Sequence, residues 1–327
     1  MLKARENFGP LIVTNAFVIL ITMGGILPIT TYGQVLDHPK PVLTASVNQG
    51  GFPNGTNNTR CNCVVFRMDD IQGKWLENAQ LAPMNLFISK NQSLTLGLIM
   101  NYMPNSNDSK IISKVHEGEQ KGLFELALHG WNHVDYTKLS EQEQKDTLVK
   151  ANEKMQGLFG HKSNIFITPL DVFNNATINA ISQLDLRILS SGARAENNFG
   201  QNKSVFIDDG KINNNKTQQA VYHLPDVSIF KVEQNHTRIQ TAVGKILAAV
   251  DNSIAKYGYA VIVLHPQDFA KSIVAVDKNG QYVNLVDLNE ITNLSHLIDS
   301  IVSKNIHITS FSKIVGIDSM SLASSRP

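Results

Sequence analysis

The sequence predicts an α/β fold in which helices cover a parallel sheet, and three observations support this. Strand-like and helix-like segments alternate along most of the chain. The strand-like segments are nearly continuous runs of Val, Ile and Leu, as in strands buried on both faces. The chain has 327 residues and is 42% hydrophobic, which suffices for one large domain with a buried core. Open doubly wound sheets and closed barrels both fit this pattern.

The N-terminal region reads as a targeting segment. Lys3 and Arg5 precede a stretch without charge, from Asn7 to Leu36. A basic flank followed by an apolar run is typical of a secretory signal peptide or an N-terminal membrane anchor, here over residues 1–34. A segment rich in Pro, Gly and Asn follows over residues 35–60 and is expected to be a linker or lead-in. The remaining chain is therefore expected outside the cell, either secreted or membrane-anchored.

Glycosylation sequons and cysteines also bear on whether the chain is exported from the cell. Cys61 and Cys63 are the two cysteines of the chain. A bridge between residues two apart is strained, so we expect free thiols or pairing between molecules rather than a disulfide framework. N-x-S/T sequons, as in exported glycoproteins, occur at Asn54, Asn57, Asn91, Asn107, Asn175, Asn202, Asn215, Asn235 and Asn293.

The first elements follow this lead-in. The run "CVVF" from Cys63 reads as a buried strand, and "SLTLGLIMNY" (Ser93–Tyr102) as a second one. "DSKIISKVHEGEQKGL" has the apolar spacing of a helix with a glycine stop at Gly122. "FELALHGWNH" is the next predicted strand. The helix "LSEQEQKDTLVKANEKMQGLFG" follows, and its Ser140 and Glu143 form a capping box.

The later elements repeat the alternation. "NIFITP" is a predicted strand, "NATINAISQLD" a helix and "RILSSG" a short strand. A polar insertion covers 193–219, and "AVYHLPDVSIF" is extended. "TRIQTAVGKILAAVDNSIAKYG" reads as one long amphipathic helix that ends at Gly258. "YAVIVLHPQDF" is a strand, "LNEITNLSHLIDSIVSKN" a helix and "IHITSF" the last strand. The folded domain is thus expected over 61–318, with a flexible tail at 319–327.

Charge and absent motifs exclude several classes of function. A formal net charge of +1 argues against a nucleic-acid partner. Membrane contact is expected only through an uncleaved N-terminal segment. No G-x-G-x-x-G or G-x-x-x-x-G-K-[ST] follows a predicted strand, so a nucleotide phosphate site lacks support. No G-x-S-x-G is present, which weakens an α/β-hydrolase interpretation.

Polar residues end three predicted strands, and the carboxyl ends of parallel strands meet on one face. His129 and His133 form H-x-x-x-H, a spacing that can place both imidazoles on one metal. Asp70 would complete a three-ligand site of the catalytic zinc type. Asp69 could then take a proton from the attacking water, and His265 could protonate a departing amine.

Each of these features also has an ordinary structural explanation. H-x-x-x-H alone is a weak signal, and an Asp-Asp pair is more often a turn or a helix cap. A lone histidine after an apolar strand is more often a packing residue. All three features occur together after apolar strands, which favours a site.

The segments "FRMDD", "HGWNH" and "VLHP", in this order, resemble the polysaccharide deacetylases, also called carbohydrate esterase family 4 (NodB homology). The resemblance extends from about Cys63 to Phe311. It implies a distorted (β/α) barrel, usually of seven strands, and hydrolysis of acetyl from N-acetylated sugars. It assigns the base to Asp69 and the metal ligands to Asp70, His129 and His133. It also places Leu264 and His265 in the last motif.

This chain departs from the family pattern at one orienting residue. Many members carry an Arg in an R-x-P-x-G motif, and the matching stretch here, "FITPLDVFNN", keeps Pro169 without an Arg. Arg67 lies two residues before Asp69, on the same face of an extended strand, and is the candidate replacement. Gly130 also stands where the family often has Ser or Thr.

Further candidates surround these motif residues. Trp75 and Trp131 could stack on a sugar ring, although buried packing fits them equally well. His223 is a weaker candidate for a groove wall. His265 must be protonated to act as a general acid, so a nearby carboxylate, Asp226 or Asp268, is expected to hold its pKa up.

Taken together, the residues and the resemblance indicate a metal-dependent polysaccharide deacetylase that acts on an extracellular or cell-surface N-acetylated glycan. Zn²⁺ is the expected ion, and one carboxylate with two imidazoles also suits Co²⁺, Mn²⁺ or Ni²⁺. Two alternatives remain open, a metal-dependent amidase on a non-sugar C–N bond and a non-catalytic glycan-binding barrel.

Overall fold

A sheet of nine parallel strands curls into a half-barrel. The structure, a computed structural model, describes residues 61–73, 75–105, 109–192, 221–234, 237–276 and 282–316, without the side chains of 272–284. The strands of this part are β1 (Cys63–Ile71), β2 (Leu94–Leu98), β3 (Phe124–Leu128), β4 (Ile165–Ile167), β5 (Ile188–Ser190), β6 (Tyr222–His223), β7 (Ser228–Ile229), β8 (Lys231–Gln234), β9 (Thr237–Gln240), β10 (Tyr259–Leu264), β11 (Ala270–Val276), β12 (Tyr282–Val286) and β13 (His307–Thr309). The predicted segments 1–34 and 35–60, the insertion 193–219 and the tail 319–327 lie outside it.

The order of the strands follows the chain over most of the sheet. They lie in the order β6-β5-β4-β3-β2-β1-β10-β7, and β13 pairs with the start of β1. Each pairing is parallel, as the apolar strand runs predict. The α/β barrel class is thereby confirmed. The sheet contains nine strands where the resemblance implies seven, and two of them, β6 and β7, have only two residues each.

Helices make the crossovers between the parallel strands. They are α1 (Glu77–Ser89), α2 (Lys110–Gln120), α3 (Glu141–Phe159), α4 (Asn175–Ser182), α5 (Val243–Tyr257), α6 (Leu288–Ser303) and α7 (Phe311–Val315). The predicted capping box of Ser140 and Glu143 begins α3, and Gly258 ends α5 in a left-handed conformation. Among the helices of the described residues, none combines the length and apolar character that crossing a membrane requires.

Alternation along β1 divides the core into two apolar layers. Val64, Phe66 and Met68 belong to the larger cluster, which also includes side chains of the helices. Val65 belongs to a second cluster on the opposite face of the sheet. Because the period is two, Arg67 and Asp69 share the face of Val65. The guanidinium of Arg67 and the carboxylate of Asp69 thus lie toward the end of β1, on the same face of the sheet as the apolar side chain of Val65.

Two predictions of local structure are wrong, and two elements were not predicted. Helix α1, which contains Pro83, is one of the unpredicted elements. Thr237–Gln240 is a strand of the β8–β9 hairpin rather than the start of a helix, since four residues are too few to separate a period of 2 from 3.6. The β11–β12 hairpin was not predicted. Cys61 and Cys63 form a disulfide within the chain, with their Cα atoms 5.2 Å apart.

Candidate active site

Asp69 and Asp70 are neighbours in β1, and alternation would send their side chains to opposite faces of the sheet. The backbone prevents this at Asp70, which has a left-handed φ of 63°. The β1–β2 register also shifts between Met68 and Ile71. Such an irregularity re-aims a side chain at the end of a strand. Both carboxylates consequently lie close enough to His129 to raise its pKa, against the lowering effect of burial.

Asp70, His129 and His133 form the cluster that could hold a metal ion. Oδ1 of Asp70 lies 3.4 Å from Nε2 of His129 and 3.3 Å from Nε2 of His133. One potential ligand atom from each residue lies within 4.8 Å of the other two. The two histidines follow β3 in a turn in which Gly130 has a φ of 82°. A left-handed residue between the histidines accounts for glycine at this position.

The hydrogen bonding of this cluster suits metal ligation. Nδ1 of His129 lies 3.1 Å from the carbonyl oxygen of Ile167, to which it can only donate. Nε2 is therefore the ring nitrogen that faces Asp70, and it carries the lone pair when the imidazole is neutral. Metal-binding histidines are oriented in this way by an acceptor at the other ring nitrogen. The side-chain amide of Gln267 donates to Oδ2 of Asp70 at 3.3 Å and fixes the second carboxylate oxygen. The residues therefore fit a divalent ion.

Burial and charge act in opposite directions on these groups. Burial would raise the pKa of Asp70, but the hydrogen bond and charge of His129 hold it well below its usual range. Burial and the neighbouring His129 together lower the pKa of His133. The ionised Asp70 and the neutral His133 are the forms in which these side chains bind metals, whereas His129, whose pKa is raised, would release its proton when a metal binds.

Arg67 is completely buried and binds two carboxylates. Its Nε and Nη2 donate to Asp69 at distances between 2.7 and 3.1 Å. Nη2 also donates to Oδ1 of Asp171 at 2.6 Å, and Nη1 to the Ser190 hydroxyl at 3.0 Å. Arg67, the candidate replacement for the missing arginine, thus contacts Asp69 directly. A Cβ on Gly97 in β2 would lie 3.2 Å from Oδ1 of Asp69, so the carboxylate occupies space that a larger residue would take.

Asp171 and Asp226 lie near Arg67, and this position was not predicted from the sequence for either carboxylate. Asp171 follows β4 with a left-handed φ of 56°. Burial would raise its pKa, but Arg67 lowers it. Asp226 is 9% exposed, and its Oδ1 is buried without a hydrogen-bond partner. Burial raises the pKa of Asp226 to about 7, with Arg67 opposing and Asp171 and Asp69 adding to the shift. The available sequence signal was an acidic residue three or four residues after a short strand, β4 for Asp171 and β6 for Asp226.

His265 follows β10 on the same edge of the sheet, and its surroundings differ from the prediction. A carboxylate was expected against its ring. Instead, Nη2 of Arg238 lies 3.2 Å from Nδ1, whereas Oδ2 of Asp268 is 4.0 Å away. That Oδ2 accepts the backbone N–H of His265 at 2.8 Å. Burial raises the pKa of Asp268. Asp226 packs beside Gly192 and close to Arg67.

The remaining predicted site residues differ in how deeply they are buried and in what they contact. Trp131 is half-buried, with Nζ of Lys150 4.2 Å from its ring centroid. Trp75 is half-buried against the larger core cluster, and Leu264 lies fully within that cluster. His223 is buried, 2.7 Å from the Ser191 hydroxyl, so it lies beneath the surface rather than on an open groove wall. Pro169 is buried at the start of the turn that carries Asp171.

Comparisons with known proteins show a family model and several solved structures to which this chain is similar. The polysaccharide deacetylase family model matches residues 57–189. Among solved structures, a protein assigned as a polysaccharide deacetylase from Mycobacterium smegmatis is similar at a TM-score of 0.50 and 11% identity, covering 81% of this chain and 92% of that one. This likeness shows the fold.

Two further structures are similar at lower scores. One is the Xyl-CE4 domain of a multidomain xylanase from the hindgut metagenome of Trinervitermes trinervoides (TM-score 0.46, 15% identity, 78% of this chain and 89% of that one). The other is a CE4 family pseudoenzyme from Bacillus anthracis (TM-score 0.47, 10% identity, 79% and 66%). No curated protein sequence matches the chain.

Proposed function

We propose that this chain, whose residues 57–189 match the polysaccharide deacetylase family model, acts as a divergent member of that family and is a metal-dependent hydrolase that removes acetyl groups from N-acetylated sugars. The observation that carries the proposal is the cluster of Asp70, His129 and His133, with their ligand atoms within 4.8 Å of one another. Asp69, held by Arg67, lies next to Asp70 in the chain. Three ligands and an adjacent carboxylate are the parts that metal-assisted amide hydrolysis requires.

The metal would be held by Asp70, His129 and His133. A divalent ion there supplies a Lewis acid that polarises the acetyl carbonyl and makes water a better nucleophile. Zn²⁺ is the expected ion for one carboxylate and two imidazoles, with Co²⁺, Mn²⁺ or Ni²⁺ as alternatives. Support for ligation at Nε2 of His129 comes from its Nδ1 contact with the Ile167 carbonyl.

Asp69 is the proposed base. Water adds to the acetyl carbonyl carbon while Asp69 takes a proton from that water, and the C–N bond then breaks to give acetate and an amine. Support comes from the bonds of Arg67, which fix the direction of the Asp69 carboxylate. Because Arg67 is itself held by Asp171 and Ser190, the base is oriented by three elements of the fold. His265 is proposed to assist the departure of the amine.

The proposed substrate is an extracellular or cell-surface glycan. Support comes from the sequence, which begins with a basic and then apolar segment over 1–34. Under this proposal the catalytic domain is secreted, or is anchored through that segment with the domain outside the cell. The near-neutral charge gives no reason to expect a nucleic-acid partner.

The test measures metal content and acetate release on the same protein samples. The full chain is expected to bind one transition metal per molecule and to release acetate from N-acetylated chitooligosaccharides. His129→Ala should lose both. Asp69→Asn should retain the metal and lose about 10²- to 10⁴-fold in kcat, the contribution of a positioned base. His296→Ala, which changes an exposed histidine of α6, is the matched control.

Each alternative outcome of this test would indicate a different function for the chain. Bound metal without acetate from any N-acetylated oligosaccharide would favour a glycan-binding barrel. Acetate released only from acetamides that lack a pyranose ring would favour a non-sugar amidase. An equal metal content in His129→Ala and the unaltered chain would remove the basis of the proposal.

A further inference from the structure

Arg238 reaches the site from outside the parallel sheet. It belongs to β9 of the β8–β9 hairpin, which pairs with neither β10 nor β1 within the described residues. Its side chain is 25% exposed and extends to the turn that follows β10. Nε and Nη2 donate to Oδ1 of Asp268 at 3.0 and 2.7 Å. Nη2 also donates to the Lys231 carbonyl at 3.3 Å and lies 3.2 Å from Nδ1 of His265.

The chemistry of the guanidinium decides the direction of the contact with His265. Arginine has five N–H donors and no acceptor, and it keeps its charge in proteins. Nη2 has two hydrogens for three acceptors, Oδ1 of Asp268, the Lys231 carbonyl and Nδ1 of His265, so one hydrogen is shared. Toward Nδ1 of His265 the guanidinium can only donate. A neutral imidazole that accepts at Nδ1 carries its hydrogen on Nε2.

Asp268 is fully occupied in this arrangement. Its Oδ1 accepts from Arg238, and its Oδ2 accepts the backbone N–H of His265 at 2.8 Å. The carboxylate is completely buried and 4.0 Å from Nδ1 of His265, beyond hydrogen-bond reach. Asp268 thus accepts hydrogen bonds from Arg238 and from the backbone N–H of His265, and none from the imidazole ring.

We propose that Arg238 is a positioning residue that fixes His265 as the neutral Nε2–H tautomer, so that His265 donates a hydrogen bond to the reacting amide instead of losing a proton to it. This inference rests on the proposed hydrolase function. The proton balance follows from it. The proton that Asp69 takes from water passes to the departing nitrogen as the C–N bond breaks, and His265 keeps its Nε2 hydrogen throughout.

The first test reads the tautomer directly. Two-bond ¹H–¹⁵N spectra of the histidine-labelled full chain are recorded at about pH 8, above the ordinary imidazole pKa of ~6.5, and His265→Gln assigns the signals. A pyridine-type Nδ1 and a protonated Nε2 are expected. Arg238→Met removes the donors and should shift the ring toward Nδ1–H. Arg238→Lys keeps a cationic donor and should retain the original signals. Arg187→Met, which removes a surface arginine paired with Asp185, is the matched control.

The second test reads turnover. Arg238→Met is expected to lower kcat about 10²-fold with little change in KM, and guanidinium ion added to Arg238→Ala should restore part of the loss. An Nδ1–H or doubly protonated His265 in the unaltered chain would overturn the inference, and so would a tautomer unchanged by Arg238→Met. The spectra require no turnover. A chain that releases no acetate would therefore contradict the proposed function, while the ¹⁵N signals of His265 would still test the role of Arg238.

Discussion

At the scale of single residues, Arg67 is one cation among three carboxyl groups. Arg67 binds Asp69 and Asp171 directly, and Asp226 lies within the same field. Three ionised carboxylates around one guanidinium would leave an uncompensated buried charge, which is costly. Burial raises the pKa of Asp226 to about 7, with Arg67 opposing the shift and the charges of Asp171 and Asp69 adding to it. The buried Oδ1 of this carboxyl has no hydrogen-bond partner.

Asp226→Asn tests this arrangement. The folded-state pKa of about 7 lies above the ordinary value of 3.8, so the folded chain binds this proton more tightly than the unfolded chain. The contribution of Asp226 to the free energy of unfolding therefore falls as pH rises from about 4 to 7. Asparagine has the same shape without the proton equilibrium. We expect Asp226→Asn to gain stability relative to the unaltered chain between pH 5 and 8, by a few kcal/mol in order of magnitude.

Denaturant unfolding at several pH values, with a chelator present so that metal binding does not contribute, measures this difference. Asp185→Asn, which alters a carboxylate that is 70% exposed, is the matched control. Unfolding free energies of Asp226→Asn and the unaltered chain that run parallel from pH 5 to 8 would contradict the prediction.

At the scale of elements, the turn after β3 decides where both imidazoles point. Gly130 separates His129 from Trp131 and has a φ of 82°. A Cβ at this position would lie 2.8 Å from the carbonyl oxygen of Asn132 and 3.1 Å from the ring of Tyr136. The glycine that departs from the family pattern is thus required by the local backbone.

Gly130→Ala should destabilise the chain by about 1–3 kcal/mol and weaken metal binding, because the turn must open to accept the methyl group. Gly157→Ala is the matched control. Gly157 lies inside α3, where a Cβ meets no atom within 4 Å, and alanine there should stabilise by about 0.5–1 kcal/mol. Denaturant unfolding and zinc competition with a chelator check both variants. A neutral Gly130→Ala would show that the turn tolerates a side chain.

The strands and helices also show which parts of the fold and of the site could be predicted from the sequence. Apolar periodicity and caps located β1, β10, α3 and α5, because burial on both faces and helix ends leave local signals. The left-handed backbone at Asp70 could not be predicted, since it depends on how β1 meets β2. Arg238 was missed for a similar reason. Its role arises from a hairpin that places it beside His265, and no pattern within Thr237–Gln240 specifies that contact.

At the scale of the whole molecule, the candidate metal ligands come from two strand ends that β2 separates. Asp70 ends β1, and His129 and His133 follow β3, with β2 paired between them. The backbone N–H of His129 donates to the carbonyl of Leu98 at the end of β2, which ties the three strand ends together. The unfolded chain has no such cluster, so a bound ion would favour the folded state.

Metal binding should therefore raise the melting temperature of the full chain. Free Zn²⁺ at about 100 times its dissociation constant contributes ~2.7 kcal/mol, which corresponds to a rise of roughly 5–10 °C for a domain of this size. Asp70→Asn should abolish the rise and still fold, because asparagine tolerates the left-handed conformation that Asp70 adopts. Asp299→Asn, which changes a side chain that is 63% exposed, should respond like the unaltered chain. Calorimetric scans over a zinc titration measure the shift, and an equal rise in Asp70→Asn would mean that zinc stabilises the fold from elsewhere.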